Sequence, residues 1–456
     1  MESIYDLLVI GAGPGGYEAA CLAGKAGLKT ALIEKKTPGG VCLNQGCIPF
    51  KSYLHIAGVR EEAGRLVAQG LLENTAEILV NQKAVYRYKN AVVKALGKSM
   101  EAGLKNAGVS LIHATAFIQS VEAHGICVSA DGTVITGKKL LIATGSREVR
   151  LLCDRERLSY PVVYSDGMLE IQSLPENVFI VGAGVIGLEA ADYFHACGCK
   201  VTVIESGTCI GGGNLDQEIA DTLLKCLARK GITFYLDTTV AEFQKDAVML
   251  TSPNGSFYQE PDFVMIAVGR KAATDGLGLA HTDIAYDEDG IKINAYGQTT
   301  NPSVYACGDV TGKPMLAHAA IRQADIAVAH LSGKNPSVSD VCIPAVIYTN
   351  PEALNVGLSE ECCRKNQISY VAKSLPMTYS GKYFAEHGKD PARAKMIADA
   401  DTGTLLGFHM VGNGAAEIAL AAELMMTRHM TVREIRQLVF PHPAVGEIIR
   451  ELAGCF

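Results

Sequence analysis

Two clusters of residues in this 456-residue chain have the types and spacing to do chemistry. The first is Cys42 and Cys47, separated by four residues within Gly39-Gly40-Val41-Cys42-Leu43-Asn44-Gln45-Gly46-Cys47-Ile48-Pro49-Phe50-Lys51. Thiols at that spacing can close a disulfide, and the same spacing also serves structural or metal-binding pairs. In a reducing compartment the useful disulfide is one that opens and closes during turnover. A helix N-terminus and Lys51 are expected to lower the thiolate pKa of such a pair. The second cluster is His442 with Glu447. An imidazole, with an ordinary pKa of about 6.5, suits proton transfer near neutral pH. A carboxylate five residues on can orient it only if the loop through Pro443 curls back, and a histidine alone at this place is more readily structural than catalytic.

These residues need elements to hold them, and an internal repeat supplies the frame. Leu8-Val9-Ile10-Gly11-Ala12-Gly13-Pro14-Gly15-Gly16 matches Ile180-Val181-Gly182-Ala183-Gly184-Val185-Ile186-Gly187. Each copy has a second glycine 16 residues after its first (Gly27, Gly198) and a glutamate 23 residues after it (Glu34, Glu205). Each glutamate closes a β-rich run. This is the strand-loop-helix dinucleotide fingerprint written twice. Gly11 and Gly182 make the tight turn, Gly13 and Gly184 let a pyrophosphate approach the backbone, and Gly16 and Gly187 allow close helix–strand packing. The helix N-terminus favours the anion. Gly27 and Gly198 are expected to end the helices in the left-handed conformation, and the glutamates to accept from ribose hydroxyls. An acid at Glu205 repels a 2′-phosphate, so the second site is expected to prefer NAD over NADP. Ile142-Ala143-Thr144-Gly145 and Ile266-Ala267-Val268-Gly269 read as the closing turns. Two dinucleotide sites in one chain point to a flavin and a nicotinamide.

Composition excludes other classes. Hydrophobic residues make up 48% and charged residues 20% of the chain, which is neither disordered nor fibrous. The net charge of −7 leaves no polybasic footprint for nucleic acid or anionic lipid. With no signal or transit peptide and no apolar run long enough to span a bilayer, neither nucleic-acid nor membrane partners are expected, and the expected home is cytoplasmic. A chain of this length does not need disulfides to fold, so redox work is expected of Cys42 and Cys47 alone among the 14 cysteines. His195-Ala196-Cys197-Gly198-Cys199 resembles a ligand cluster, but aligned on the glycines it is a helix end and the start of the next strand. No metal site is expected.

The stretch from Gly39 to Lys51 resembles the redox-active segment of the flavoprotein disulfide reductases, usually GGTCLNxGCIPSK. The resemblance continues through Tyr305-Ala306-Cys307-Gly308-Asp309, Met315-Leu316-Ala317-His318, Tyr348-Thr349-Asn350-Pro351-Glu352 and His442-Pro443-Ala444-Val445-Gly446-Glu447, and so covers essentially the whole chain. It implies an enzyme that oxidises dihydrolipoyl groups with NAD through FAD. Cys42 would be the thiol that meets substrate and Cys47 the thiol against the flavin, with Lys51 and Glu189 as an ion pair near flavin N5. His442, oriented by Glu447, would be the acid/base and would reach the disulfide of a second subunit. FAD contacts would come from Gly11, Gly13, Gly16, Glu34, Gly40, Val41, Lys51, Ala114, Thr144, Gly145, Asp309, Met315, Leu316, Ala317 and His318. NAD contacts would come from Gly182, Gly184, Gly187, Glu205 and Gly269. The implied partners are a second copy of the chain and a lipoyl-bearing protein of a 2-oxoacid dehydrogenase or glycine cleavage system.

The implied fold is α/β, with two Rossmann-like dinucleotide-binding domains for FAD and NAD and a C-terminal α+β dimerisation domain. The expected division is 1–148 and 273–336 for FAD, 149–272 for NAD, and 337–456 for the interface. Ala415 to Met426 should be helical. The sequence departs from the family pattern at Phe50 (usually Ser), at Ala444 and Gly446 (usually Thr and Ser), at Ala114 and at Ala319. None removes a group the chemistry requires. Among the alternatives, a glutathione-reductase-like enzyme would want a basic second site, which Glu205 opposes. A mercuric-reductase-like enzyme would want a C-terminal vicinal cysteine pair, where this chain has Cys455 alone. A flavin-binding subunit without turnover would not need Cys42, Cys47, His442 and Glu447 together.

Overall fold

A computed structural model describes residues 4–73, 78–122, 124–213, 215–312, 314–338 and 342–456. The chain divides into two compact units. One comprises Met1–Ser52, Tyr86–Val149 and Gly269–Ser339; the other comprises Tyr53–Val85, Arg150–Val268 and Asp340–Phe456. Among the described residues no helix is long and apolar enough to cross a membrane.

The first unit is built on a parallel core. Strand Tyr5–Ile10 pairs in parallel with Thr30–Glu34 on one side and Thr133–Ile142 on the other. Ser110–His113 extends the first edge, and Val304–Ala306 pairs in parallel with Thr133–Ile142. The strands Ala116–Glu122 and Gly125–Ala130 add antiparallel partners. Leu7, Leu8, Val9, Leu140, Leu141 and Ile142 are each completely shielded from water. Such unbroken apolar runs are what a sheet covered on both faces demands, because neither side-chain register can point to solvent. One face is closed by the helices Pro14–Lys25 and Ala317–Leu331, through Ala19, Ala20, Ala23, Ala324 and Ala327.

The second unit repeats this plan. Its parallel sheet runs in the order Thr233–Tyr235, Lys200–Ile204, Asn177–Val181, Phe263–Ile266, Val162–Val163. The fingerprint turns of the two units coincide in detail. Gly11 and Gly182 have φ of 95° and 108°, values that a side chain resists. A Cβ on Gly11 would lie 2.4 Å from the Ala143 carbonyl oxygen, and one on Gly182 would lie 2.4 Å from that of Ala267. Gly27 and Gly198 end their helices in the left-handed conformation, as the repeat predicts. The N–H of Leu28 donates to Ala23 and that of Cys199 to Phe194, which closes the last turn in both helices.

The C-terminal part of the second unit is built on an antiparallel sheet, in the order Ala345–Ile347, Ala353–Gly357, Leu405–Val411, Arg393–Asp399, Tyr370–Pro376. Helices Ala415–Thr427 and Glu447–Ala453 pack on it through Ile418, Ala422, Met425, Ile448 and Leu452. The predicted helix from Ala415 is present, with Leu420 and Leu424 on its exposed side. Two lysines, Lys395 buried and Lys230 half-buried, tie this sheet to the helices around the parallel one. The Lys395 ammonium, 3% exposed, meets Asp216 at 2.8 Å and also contacts Glu360, while Lys230 meets Glu61 at 2.7 Å and Asp192 at 2.6 Å. Asp192 in turn accepts from the backbone N–H of Asn350 at 2.8 Å.

The glycine contacts generate a prediction. In Gly187→Ala the new Cβ would meet the Gly182 carbonyl oxygen at 1.9 Å, whereas in Gly184→Ala it would meet no protein atom within 4 Å. Gly187→Ala is expected to lose about 2–4 kcal/mol in denaturant unfolding, by forcing the turn apart. Gly184→Ala should lose no more than about 1 kcal/mol, chiefly from a poorer helix cap. Equal losses would refute this account of the turn.

Candidate active site

The cysteine segment is anchored to the first fingerprint turn by backbone alone. The Gly39 N–H donates to the Ala12 carbonyl at 2.7 Å, and a Cβ on Gly40 would stand 2.7 Å from the Gly13 Cα. Gly39 and Gly40 have φ of 112° and 55°, which opens the short helix Gly40–Gln45 that carries Cys42. Asn44 secures the loop behind it, donating through Nδ2 to the carbonyls of Gly40 at 2.9 Å and Pro38 at 3.2 Å. Cys47 begins the long helix Cys47–Ala68. Both residues carry thiols in this structure, Cys42 half-buried and Cys47 exposed.

The two side chains share a hydrogen bond. That bond, with burial, pushes the Cys42 thiol well up, while the Lys51 charge pulls it down. Lys51 thus acts in the expected direction but is outweighed at Cys42. The physical reason is that two thiols in contact resist a second negative charge more strongly than one ammonium favours it. Phe50, which stands where the family usually has serine, is buried at 6% exposure.

The two glutamates of the repeat are held alike. Glu34 accepts from the Ala12 N–H at 2.7 Å and the Lys36 N–H at 2.8 Å, one bond to each carboxylate oxygen. Glu205 accepts from the Ala183 N–H and the Gly207 N–H, each at 2.7 Å. Glu205 Oε1 also accepts from the Ser206 hydroxyl at 3.2 Å, and each carboxylate keeps acceptor capacity for a further hydroxyl on Oε2. Gly13 and Gly184 begin the following helices with no side chain capping the free N–H groups. A cradle without Cβ atoms, uncapped helix N–H groups and a fixed carboxylate fit a dinucleotide at each turn. In the first unit Ala114 donates its N–H to the Glu34 carbonyl at 3.1 Å, and Thr144 donates its hydroxyl to Ala273 at 2.8 Å. Gly145 and Gly269 both have positive φ, at 74° and 118°. Val41 is exposed beside Cys42. Met315 and Leu316 lead into the helix Ala317–Leu331, whose second residue is His318.

Asp309 lies in the turn Gly308–Thr311 and accepts from the Ser146 hydroxyl at 2.5 Å. Ser146 is itself gripped by Arg270, whose Nε donates to its hydroxyl at 2.8 Å and whose Nη2 donates to its carbonyl at 2.9 Å. Sequence spacing assigns neither Ser146 nor Arg270 to the site. No spacing rule links them to Asp309, 163 residues beyond Ser146 in the chain. Asn44 was legible only as a motif letter.

In the second unit Glu189 is buried and accepts from the Tyr348 N–H at 3.0 Å. The loop through Pro443 does curl back. His442 Nδ1 lies 2.8 Å from Glu447 Oε1, and the Ala444 N–H donates to Glu447 Oε2 at 2.9 Å. Those two donors hold the Glu447 carboxyl below the usual carboxylate range, the backbone bond being the larger cause. The imidazole side chain is 79% exposed, so its second nitrogen is open to solvent. Cys197 and Cys199, in the segment that resembled a metal cluster, are buried, and burial pushes their thiols up to about 12 and about 11.

Comparisons with known proteins agree with this architecture. Residues 5–324 match the model of the pyridine nucleotide-disulphide oxidoreductases, and residues 343–453 match the dimerisation domain of the same family. A dihydrolipoyl dehydrogenase of Bacillus subtilis is 35% identical over 99% of this chain and 98% of its own length. A second, from Pseudomonas aeruginosa, is 34% identical over 99% and 98%. Among solved structures, the HOCl-induced flavoprotein disulfide reductase RclA from Escherichia coli superposes with a TM-score of 0.85 at 25% identity, covering 99% of each chain. Two repeated nucleotide turns, a cysteine pair beside the first and a dimerisation domain after the second make this chain a member of the pyridine nucleotide-disulphide oxidoreductase family.

Proposed function

We propose that the chain oxidises dihydrolipoyl groups with NAD, taking the electrons through Cys42 and Cys47. The observation that carries this reading is the hydrogen-bonded thiol pair on a loop tied by backbone to the first nucleotide turn. The dihydrolipoyl dehydrogenases that match over nearly the full chain support it. FAD and NAD are the cofactors of the family. Gly11, Gly13, Gly16, Glu34, Gly40, Ala114, Thr144, Asp309 and the helix from Ala317 would hold the flavin nucleotide, and Gly182, Gly184, Gly187 and Glu205 the nicotinamide nucleotide. FAD, when bound, supplies a two-electron relay between the cysteine pair and NAD.

The protein's own steps concern thiols and one proton path. His442 Nε2 takes the proton of one substrate thiol, and the thiolate attacks Cys42 Sγ, breaking the Cys42–Cys47 bond and leaving Cys47 as thiolate. The second substrate thiol then attacks the substrate sulfur bound to Cys42. Cys42 leaves with a proton, the substrate departs as a cyclic disulfide, and the pair holds two electrons. Glu447, ionised and anchored by Ala444, fixes the imidazole so that Nε2 faces the substrate. In this reading the exposed imidazole serves the disulfide of a second copy of the chain, so the homodimer is the working unit. A lipoyl-bearing protein of a 2-oxoacid dehydrogenase or glycine cleavage system is the proposed source of substrate, and the cytoplasm the proposed location.

Three outcomes test this. With dihydrolipoamide, glutathione and mercuric ion compared in turn, dihydrolipoamide with NAD should be turned over at least tenfold faster than the others, and initial-rate plots should be parallel. Intersecting lines would exclude the ping-pong scheme. Cys42→Ser should abolish dihydrolipoamide oxidation with FAD retained, and full activity would refute the thiol role. The third outcome concerns pH. Because the Glu447 carboxyl is held below its ordinary value, its contribution is complete above about pH 4.3 and fades only as pH falls through the lowered value. Glu447→Gln should therefore slow turnover throughout pH 5–8. A defect confined to one end of that range would argue against an ionised Glu447.

A further inference from the structure

The acid/base loop lacks the two hydroxyls that the family places beside the histidine, since Ala444 and Gly446 stand in those positions. A hydroxyl from elsewhere in the unit meets the same loop. Ser380 is completely buried, and its Oγ lies 3.1 Å from the Ala444 carbonyl oxygen, to which it donates. We infer that Ser380 is a positioning residue for the His442–Glu447 pair. The inference rests on the reading of His442 as acid/base.

Geometry supports it at each link. The Ser380 hydroxyl has one proton and accepts one further bond, from the Tyr383 N–H at 3.3 Å, because Ser380 caps the helix Gly381–His387. Its own N–H donates to Met377 at 2.9 Å, and its carbonyl accepts from Phe384 at 2.9 Å. Its proton is therefore directed to Ala444, and its backbone is held from both sides. Met377 and Tyr383, on either side of it, are fully buried in the core under the antiparallel sheet. The Tyr383 hydroxyl is fastened to Asp390 at 2.7 Å.

Ala444 is the middle of a relay. Its carbonyl accepts from Ser380 and from the Glu447 N–H at 3.3 Å, while its own N–H donates to Glu447 Oε2. Glu447 Oε1 then takes the imidazole. Within its own chain the imidazole side chain is 79% exposed, so the aim its own chain gives it comes through Glu447 and this peptide plane. Fixing that plane from the buried side is the service of Ser380. The brace comes from 64 residues earlier in the chain. Sequence spacing gives no sign of it.

The test uses the FAD-loaded dimer and four variants. Ser380→Ala removes both donor and cap. Ser380→Gly removes the donor but keeps a residue that caps helices well, so a general loss of folding is separated from loss of aim. Ser380→Thr restores the hydroxyl, and His442→Gln removes the imidazole's proton chemistry. Two reactions are followed: oxidation of dihydrolipoamide by NAD, and oxidation of NADH by ferricyanide, which needs neither the thiols nor His442. Losing one hydrogen bond of ordinary strength should lower kcat for dihydrolipoamide about three- to tenfold in Ser380→Ala and Ser380→Gly. The KM for NAD and the ferricyanide rate should stay at the parent values, and Ser380→Thr should recover most of kcat. Parent-like kcat in Ser380→Gly overturns the inference, as does a parallel fall of both reactions or a failure of threonine to rescue. His442→Gln separates the two levels: if it leaves dihydrolipoamide oxidation unchanged, the acid/base reading itself fails. If it abolishes that reaction while Ser380→Gly behaves as the parent, only the role of Ser380 fails.

Discussion

The structure depends on the approach of backbone to backbone at two strand-to-helix turns. Where Gly16 and Gly187 pass Gly11 and Gly182, a single added carbon would lie 1.9 Å from a carbonyl oxygen. No rotamer change relieves such a contact, because the main chain fixes where a Cβ stands and the oxygen belongs to the main chain itself. That proximity sets each helix against its sheet and leaves its first N–H groups pointing into the cradle. It also sets the place of everything attached to the turn. Glu34 and Glu205 reach back to the same peptide of their loops, Ala12 and Ala183, and the cysteine segment joins the first turn through Gly39 and Gly40. The reactive thiols are therefore positioned by peptide geometry, which is stiffer than side-chain packing.

The acid/base end follows the opposite principle. His442 is exposed, and its aim comes from a short run of hydrogen bonds leading inward through Glu447 and Ala444. A carboxylate at the first position of a seven-residue helix could turn to solvent, and the Ala444 N–H prevents it. An imidazole that must meet a substrate from outside the chain has to be accessible. Precision is supplied by what lies behind it, at Glu447 and the core beneath.

Between these ends, the buried Lys395 and the half-buried Lys230 hold the second unit together. Lys230 gathers Glu61 and Asp192, and Lys395 gathers Asp216 and Glu360. Burying such charges is costly, and each lysine has more than one carboxylate to offset the loss of water, Lys395 a third in Glu218 at 3.4 Å. Burial by itself would raise Asp216, yet Lys395 holds its carboxyl below the usual range, so the attraction wins at that site. Such clusters tolerate few alternative arrangements, and they fix how the helix starting after Asp216 meets the antiparallel sheet.

The sequence by itself determined whatever depends on local rules. Glycine at a positive φ, apolar runs for a doubly covered sheet, glutamate closing the second strand, and paired cysteines beside a glycine loop can all be read from spacing, because neighbours in the chain are neighbours in space. The helix beginning at Ala415 and the helix ends at Gly27 and Gly198 belong to the same class. Only the tertiary structure decided the contacts that cross long stretches of chain. Ser146 under Asp309, Arg270 on Ser146, Lys230 with Glu61, Lys395 with Asp216, and Ser380 behind Ala444 join residues from 64 to 179 positions apart. The direction of the Cys42 pKa also had to wait, since it turns on how close Cys47 stands and how far water is excluded. Spacing encodes backbone conformation within an element; which elements meet, and how dry the meeting place is, emerges only when the whole chain has packed.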